Sequence, residues 1–161
     1  MARIYISIGS NINRKYHIQA AVSMLKQHFG QLLLSSVYES EAVGFSGDAF
    51  YNLVAAADTA LSIADCVRVF KQIEDAYGRD RSSARFSGRT LDLDLLTYDE
   101  VVCEQPIALP RAEIGENAFV LLPLSELAPT AVHPVSGKTY AALWQQYDKH
   151  QKLWPVPFDW E

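Results

Sequence analysis

The sequence predicts an α+β fold, an antiparallel sheet flanked by helices in the ferredoxin-like order strand, helix, strand, strand, helix, strand, with C-terminal additions to that βαββαβ core. Three observations carry this. Apolar residues alternate over Arg3–Gly9 and again over Arg89–Leu96, the period of a strand with one buried face. The stretches 15–29 and 62–77 instead repeat apolar residues every three or four positions, the period of an amphipathic helix. No repeat, linker or low-complexity segment divides the 161 residues, so 1–161 reads as a single domain.

In chain order, Ile4, Ile6 and Ile8 form the buried side of a first strand that ends at Gly9-Ser10-Asn11. The first helix buries Ile18, Ala21, Val22, Leu25 and Phe29 and stops at Gly30, with His17 and His28 on its solvent side. Leu32–Tyr38 is a second strand. A long loop through Asp48 leads to a third, Phe50–Thr59, on which Phe50 and Asn52 share a face. The second helix is capped by Ser62, buries Ile63, Cys66, Phe70, Ile73 and Tyr77, and ends at Gly78. Glu74 stands near its C-terminus, where the helix dipole favours cations, and reads as an ordinary exposed acid.

Val101 and Val102 are expected as a short return strand. Prolines at 106, 110, 123, 129 and 134 argue against long regular elements before Thr139, although Phe119–Leu127 is apolar enough to be mostly buried. A last helix is expected over Tyr140–Lys149. The tail from Leu153 to Trp160 is apolar and broken by proline; packing on the domain and meeting a partner both fit it.

Composition narrows the function. A net charge of −5 argues against a nucleic-acid partner, and no apolar run reaches transmembrane length. The N-terminus lacks a signal-peptide pattern, so a bacterial protein of this kind is expected in the cytoplasm. Cys66 and Cys103 are far apart and lack metal-type spacing, which suits reduced structural thiols.

The most informative stretch is Arg89-Thr-Leu-Asp-Leu-Asp-Leu-Leu96. Its leucines face a core, which turns Asp92 and Asp94 side by side onto the other face. Paired carboxylates repel unless a cation or proton lies between them, and Mg²⁺ commonly takes one or two carboxylates with phosphates and waters. Asp is also a poor strand former. Just upstream, Arg79, Arg81, Arg85 and Arg89 lie in a segment of small residues with no apolar periodicity. Acid strand and basic loop together are the inventory for a metal-bound polyphosphate; a solvated strand beside a surface loop is the plainer reading.

Those residues resemble a known signature. Gly88-Arg-Thr-Leu-Asp-Leu-Asp-Leu-Leu96, preceded by Gly78-Arg-Asp-Arg81, is similar to the motif of the 6-hydroxymethyl-7,8-dihydropterin pyrophosphokinases. Ile8-Gly-Ser-Asn11, Tyr51-Asn52, Ala118–Leu124 and Ala128-Pro129 extend the likeness to about Trp144. The resemblance implies a ferredoxin-like α+β fold and transfer of pyrophosphate from ATP to the hydroxymethyl oxygen of a reduced pterin, releasing AMP. It implies two Mg²⁺ ions on Asp92 and Asp94, catalytic roles for Arg79 and Arg89 on phosphate, and Glu74, Arg81, Arg85 and Arg111 on the nucleotide side. Val43, Gly44, Phe50, Asn52 and Phe119 would hold the pterin, an amide suiting its fixed donor–acceptor edge and a ring its flat face. The partners implied are these small molecules, without nucleic acid or membrane, for a monomer or weak homodimer.

The chain also departs from that pattern. Gly88 stands where proline is usual, Phe86 where Trp is frequent, Arg111 where His is common, and a proline-containing run is absent around 40–44. A divergent paralogue that binds pterin and nucleotide with altered or lost turnover is therefore the alternative. A nucleic-acid-binding module of the same topology would need a basic aromatic sheet face, which the aspartates oppose.

Overall fold

A computed structural model describes residues 1–40, 49–78, 91–148 and 151–160. The chain forms one mixed sheet-and-helix body whose strands pair antiparallel throughout. Its order is β1 (Ala2–Ser10), α1 (Arg14–Phe29), β2 (Leu33–Leu34), β3 (Val37–Ser40), β4 (Phe50–Thr59), α2 (Ile63–Ala76) and β5 (Asp92–Tyr98). Then follow α3 (Glu113–Glu116), α4 (Ala118–Leu127), α5 (Tyr140–Gln145) and β6 (Leu153–Val156). The strands lie in the order β5-β1-β4-β3-β6, with β2 also on β4.

The alternating patterns produce the expected faces. Ile4, Ile6 and Ile8 of β1, Leu53 of β4 and Leu93 and Leu95 of β5 are buried beneath α1 and α2, which contribute Ile18, Val22, Leu25, Phe70 and Ile73. Each such side chain contributes roughly 1.5–3 kcal/mol by leaving water. Ser62 caps α2 through its hydroxyl, which accepts from the Asp65 amide, and Gly30 at φ 76 ends α1 in a conformation that a side chain would strain. Gly30 N–H closes the turn onto Lys26 carbonyl.

The opposite face is covered too. Val54 and Leu96 pack with Ile114, Val120, Leu121, Leu124 and Tyr140, so α4 and α5 make a second helical layer. Here the sequence expectation of irregular chain before Thr139 is corrected: α4 runs through Pro123. An interior proline costs about 3 kcal/mol, whereas burying Val120, Leu121 and Leu124 returns roughly 1.5–3 kcal/mol apiece. Burial wins. Leu96 reaches this layer by the same alternation that turns Asp92 and Asp94 to this side, and the register shift at Tyr5/Ile6 leaves it as a bulged residue between Leu95 and Thr97.

Other expectations need correction. The strand foreseen over 32–38 is split into β2 and β3 at Ser35 and Ser36, whose polar groups are used sideways: Ser35 Oγ accepts from Val54 N–H, and Ser36 donates to Glu126. Val101 and Val102 make no strand; Asp99 at φ 49 turns the chain, and the nearby bridge joins Cys103 to Leu109. The last helix is six residues long and ends at Gln145. His17 is buried, its Nδ1–H donating to Ile12 carbonyl at 2.6 Å between the rings of Tyr16 and Tyr77. Ser10 extends β1, so Gly9 belongs to the strand, not to its terminating turn.

The tail packs on the domain. β6 pairs with β3, setting Pro155 opposite Tyr38 on an edge strand, where a missing N–H is tolerated. Phe158 then meets the edge of the Tyr51 ring, 5.9 Å between centroids. Among the described residues no helix is long and apolar enough to cross a membrane.

Candidate active site

The site begins with sheet register. Gly9 pairs with Asn52 on one side and with Asp92 on the other; Ser7, one step up the same face, pairs with Val54 and Asp94. Directly paired residues point to the same side, so Asp92, Asp94 and Asn52 share the face that α4 covers. Gly9 is what permits the arrangement. A β-carbon there would stand 2.9 Å from Asn52 Oδ1 and 3.8 Å from the Phe50 ring.

Of the ring-binding candidates, Asn52 and Phe50 lie at this end of the sheet. Asn52 is buried and its Nδ2 donates to Ser40 Oγ at 2.9 Å, which fixes the amide orientation. Phe50 pairs with Ser40 and is only half-buried. Phe119, half-buried on the first turn of α4, packs against the layer containing Val54 and Leu96. Arg14 braces the strand ends nearby: Nη1 lies 2.8 Å from Glu39 Oε2 and 2.8 Å from Ala49 carbonyl, and the guanidinium sits 3.9 Å above the Tyr51 ring.

Along the outer edge of β5 runs a cleft of about 450 Å³, bounded by α2 and the segment 107–113. Asp92, Asp94, Glu74, Arg111, Glu113 and Lys71 supply its polar lining. Glu74 is not the exposed acid of the plainer sequence reading. It is buried, and Oε2 accepts from Leu93 N–H at 2.8 Å, satisfying a donor on a strand that has no neighbour on this side among the described residues. Arg111 donates its own amide to Leu96 carbonyl at 3.0 Å, which holds its side chain beside the acids. Its Nη2 meets Asp94 Oδ1 at 2.9 Å and its Nε meets Glu113 Oε2 at 3.1 Å.

Partial loss of solvent around the half-exposed Asp94 carboxyl pushes it up to about 6; Arg111 pulls the other way, while Asp92, Glu74 and Glu113 add to the rise. Asp94 is therefore a group that wants a cation. The donor set suits Mg²⁺: two hard carboxylates on alternate positions, with room in the cleft for phosphate oxygens and waters. Among the described residues no cluster of three or more His, Cys, Asp or Glu side chains could cage a metal by itself. Waters and phosphate oxygens would complete the shell of a metal held by the two aspartates.

The structure thus brings together Asp92, Asp94, Glu74 and Arg111 around one cleft, and Phe50 and Asn52 beside Gly9. Arg79, Arg81, Arg85, Arg89, Val43 and Gly44, with the departures at Phe86 and Gly88, lie outside the described residues. Sequence reasoning read Gly9 as part of a strand-ending turn, not as the space for Asn52, and passed over Lys71 and Glu113. A glycine breaking an otherwise apolar-polar strand was a usable signal for the first, and Lys71 one helical turn from Glu74 for the second; nothing local marks Glu113.

With the sheet, the helical layers and the cleft in place, the matched sequences define the class: a pyrophosphokinase, a transferase. The chain belongs to the 7,8-dihydro-6-hydroxymethylpterin-pyrophosphokinase family, whose model matches residues 5–129. It is 32% identical over 141 residues to the 2-amino-4-hydroxy-6-hydroxymethyldihydropteridine pyrophosphokinase of Aquifex aeolicus, covering 86% of this chain and 88% of that one. The enzyme of the same name from Porphyromonas gingivalis is 35% identical over 141 residues, covering 83% and 95%. In fold, the chain is similar to the Plasmodium falciparum HPPK-DHPS structure with pteroate, at a TM-score of 0.73 and 14% identity over 91% of this chain and 42% of that one.

Proposed function

We propose that this chain transfers the terminal pyrophosphate of ATP to the hydroxymethyl group of 6-hydroxymethyl-7,8-dihydropterin, a step of folate biosynthesis. The hydroxymethyl oxygen forms a bond to the β-phosphorus, the bond from that phosphorus to the α-bridging oxygen breaks, AMP leaves, and the hydroxyl proton is released. The single observation that carries this reading is the row Asp92–Gly9–Asn52. It sets the phosphate side and the ring side two strands apart, about 10 Å, the scale of one small substrate lying across the sheet.

Asn52 would read the pterin edge while Phe50 and Phe119 hold its faces, with Val43 and Gly44 completing that pocket. Asp92 and Asp94 would hold two Mg²⁺ ions. When bound, these supply charge neutralisation on the triphosphate and orient the β-phosphorus. Arg79 and Arg89 would clamp phosphate oxygens, and Arg81, Arg85, Arg111 and the Glu74 region would seat the nucleotide. The work is positioning and electrostatics, and turnover in water-excluding surroundings keeps ATP from hydrolysis. We read β5-β1-β4-β3 with α1 and α2 as a ferredoxin-like core to which β6 is an addition, and the enzyme as a cytoplasmic monomer or weak homodimer.

The test is turnover with ATP, Mg²⁺ and the pterin alcohol. Asp92→Asn and Asp94→Asn should each lower kcat by on the order of a hundredfold while pterin affinity stays near wild type, because each removes a charged ligand and leaves the ring pocket. Near-normal turnover in both variants overturns the reading.

A further inference from the structure

We propose that Arg111 is an exchangeable counter-ion of the acid pair: without ligand it holds Asp94, and when metal and nucleotide arrive it yields that carboxylate to the metal and turns to a phosphate oxygen. This rests on the reading of Asp92 and Asp94 as metal ligands.

The charge inventory of the cleft motivates it. Among the described residues, four acids, Glu74, Asp92, Asp94 and Glu113, line it with two cations, Lys71 and Arg111. Glu74 accepts from the Leu93 amide, and Arg111 pairs with the acid strand, its Nη2 2.9 Å from Asp94 Oδ1. It occupies Asp94 Oδ1, an oxygen that a metal held by this carboxylate would compete for. A guanidinium cannot shed its proton to make room, so it must move.

The geometry allows that movement. Nε is held at 3.1 Å by Glu113, and the backbone amide by Leu96 carbonyl, whereas the bond to Asp94 is made by Nη2 at the far end of the fork. Glu113 acts as a pivot that keeps the guanidinium in the cleft after Asp94 is released. At 46% side-chain exposure for Asp94 and 29% for Arg111, the pair is open to the solvent side, so exchange does not require the core to part.

A consequence follows by linkage. A bare divalent cation must displace Arg111 without offering it a new anion; a metal–nucleotide complex brings the anion along. Metal and nucleotide should therefore bind with positive coupling, and Arg111 should carry a measurable part of it. The same device keeps the cleft from filling with free metal.

Mn²⁺ binding, read from the loss of the free-ion paramagnetic resonance signal, tests this in the full chain with and without an unreactive ATP analogue. Arg111→Ala should bind Mn²⁺ alone about 5-fold or more tightly than wild type, and the analogue should enhance its Mn²⁺ affinity less. Arg111→Lys, which keeps the charge, should stay closer to wild type and guards against misfolding as the cause. Equal Mn²⁺ affinity and equal enhancement in wild type and Arg111→Ala overturn the exchange. Asp94→Asn separates the two claims: if it loses Mn²⁺ binding while Arg111→Ala is unchanged, only the exchange fails. If Asp94→Asn binds Mn²⁺ as wild type does, the metal reading fails and the exchange with it.

Discussion

Gly9 and Asn52 are register partners on β1 and β4, and the missing β-carbon of Gly9 leaves the space that the Asn52 amide occupies, 2.9 Å from where that carbon would be. Gly9→Ala should push the amide off Ser40 Oγ, at a cost of roughly 0.5–1.5 kcal/mol for the lost bond. The protein should still fold. Pterin affinity is expected to fall by about tenfold while binding of the ATP analogue is unchanged, as followed by fluorescence titration of each ligand. Wild-type pterin affinity would show that the amide orientation is irrelevant to ring binding.

Glu74 gives a stability prediction. Its carboxylate satisfies the Leu93 N–H from a buried position. Glu74→Ala leaves that donor without this acceptor and should cost about 1–3 kcal/mol in urea unfolding, whereas Glu74→Gln keeps an acceptor oxygen and should cost less. Equal stability of wild type and Glu74→Ala would contradict the edge-capping role.

The thiols should differ. Cys66 is fully buried, and burial first, then Asp65, pushes its pKa up to about 11, so thiolate is scarce at pH 8. Cys103 is partly exposed. A disulfide reagent at pH 8 is expected to titrate one thiol in the native protein and two after denaturation; as pH rises toward 11, Cys66 should react faster only if the fold opens or the thiolate forms in place. Two equally fast thiols in the native state would place Cys66 wrongly.

Much of this was legible in the chain. Strict alternation in β1 and β5, three-and-four spacing in α1 and α2, and Ser62 before an apolar stripe gave the core face, because each local pattern agrees with its tertiary neighbours. The placement of Asp92 and Asp94 opposite the leucines followed from the same alternation. What escaped depends on partners distant in sequence. α4 persists through Pro123 because the sheet and α5 bury its flanks, and His17 is buried because Tyr77 comes to lie against it. Glu74 is understood only once β5 is an edge, and the tail only once β3 is one.

The central claim is attack on the β-phosphorus, and the identity of the released nucleotide tests it most directly. Incubation of the purified chain with ATP, Mg²⁺ and 6-hydroxymethyl-7,8-dihydropterin, followed by chromatography of nucleotides and pterins, should give AMP and a pterin diphosphate in equal amounts. ADP with a pterin monophosphate, or AMP with free pyrophosphate and unchanged pterin, would contradict the account.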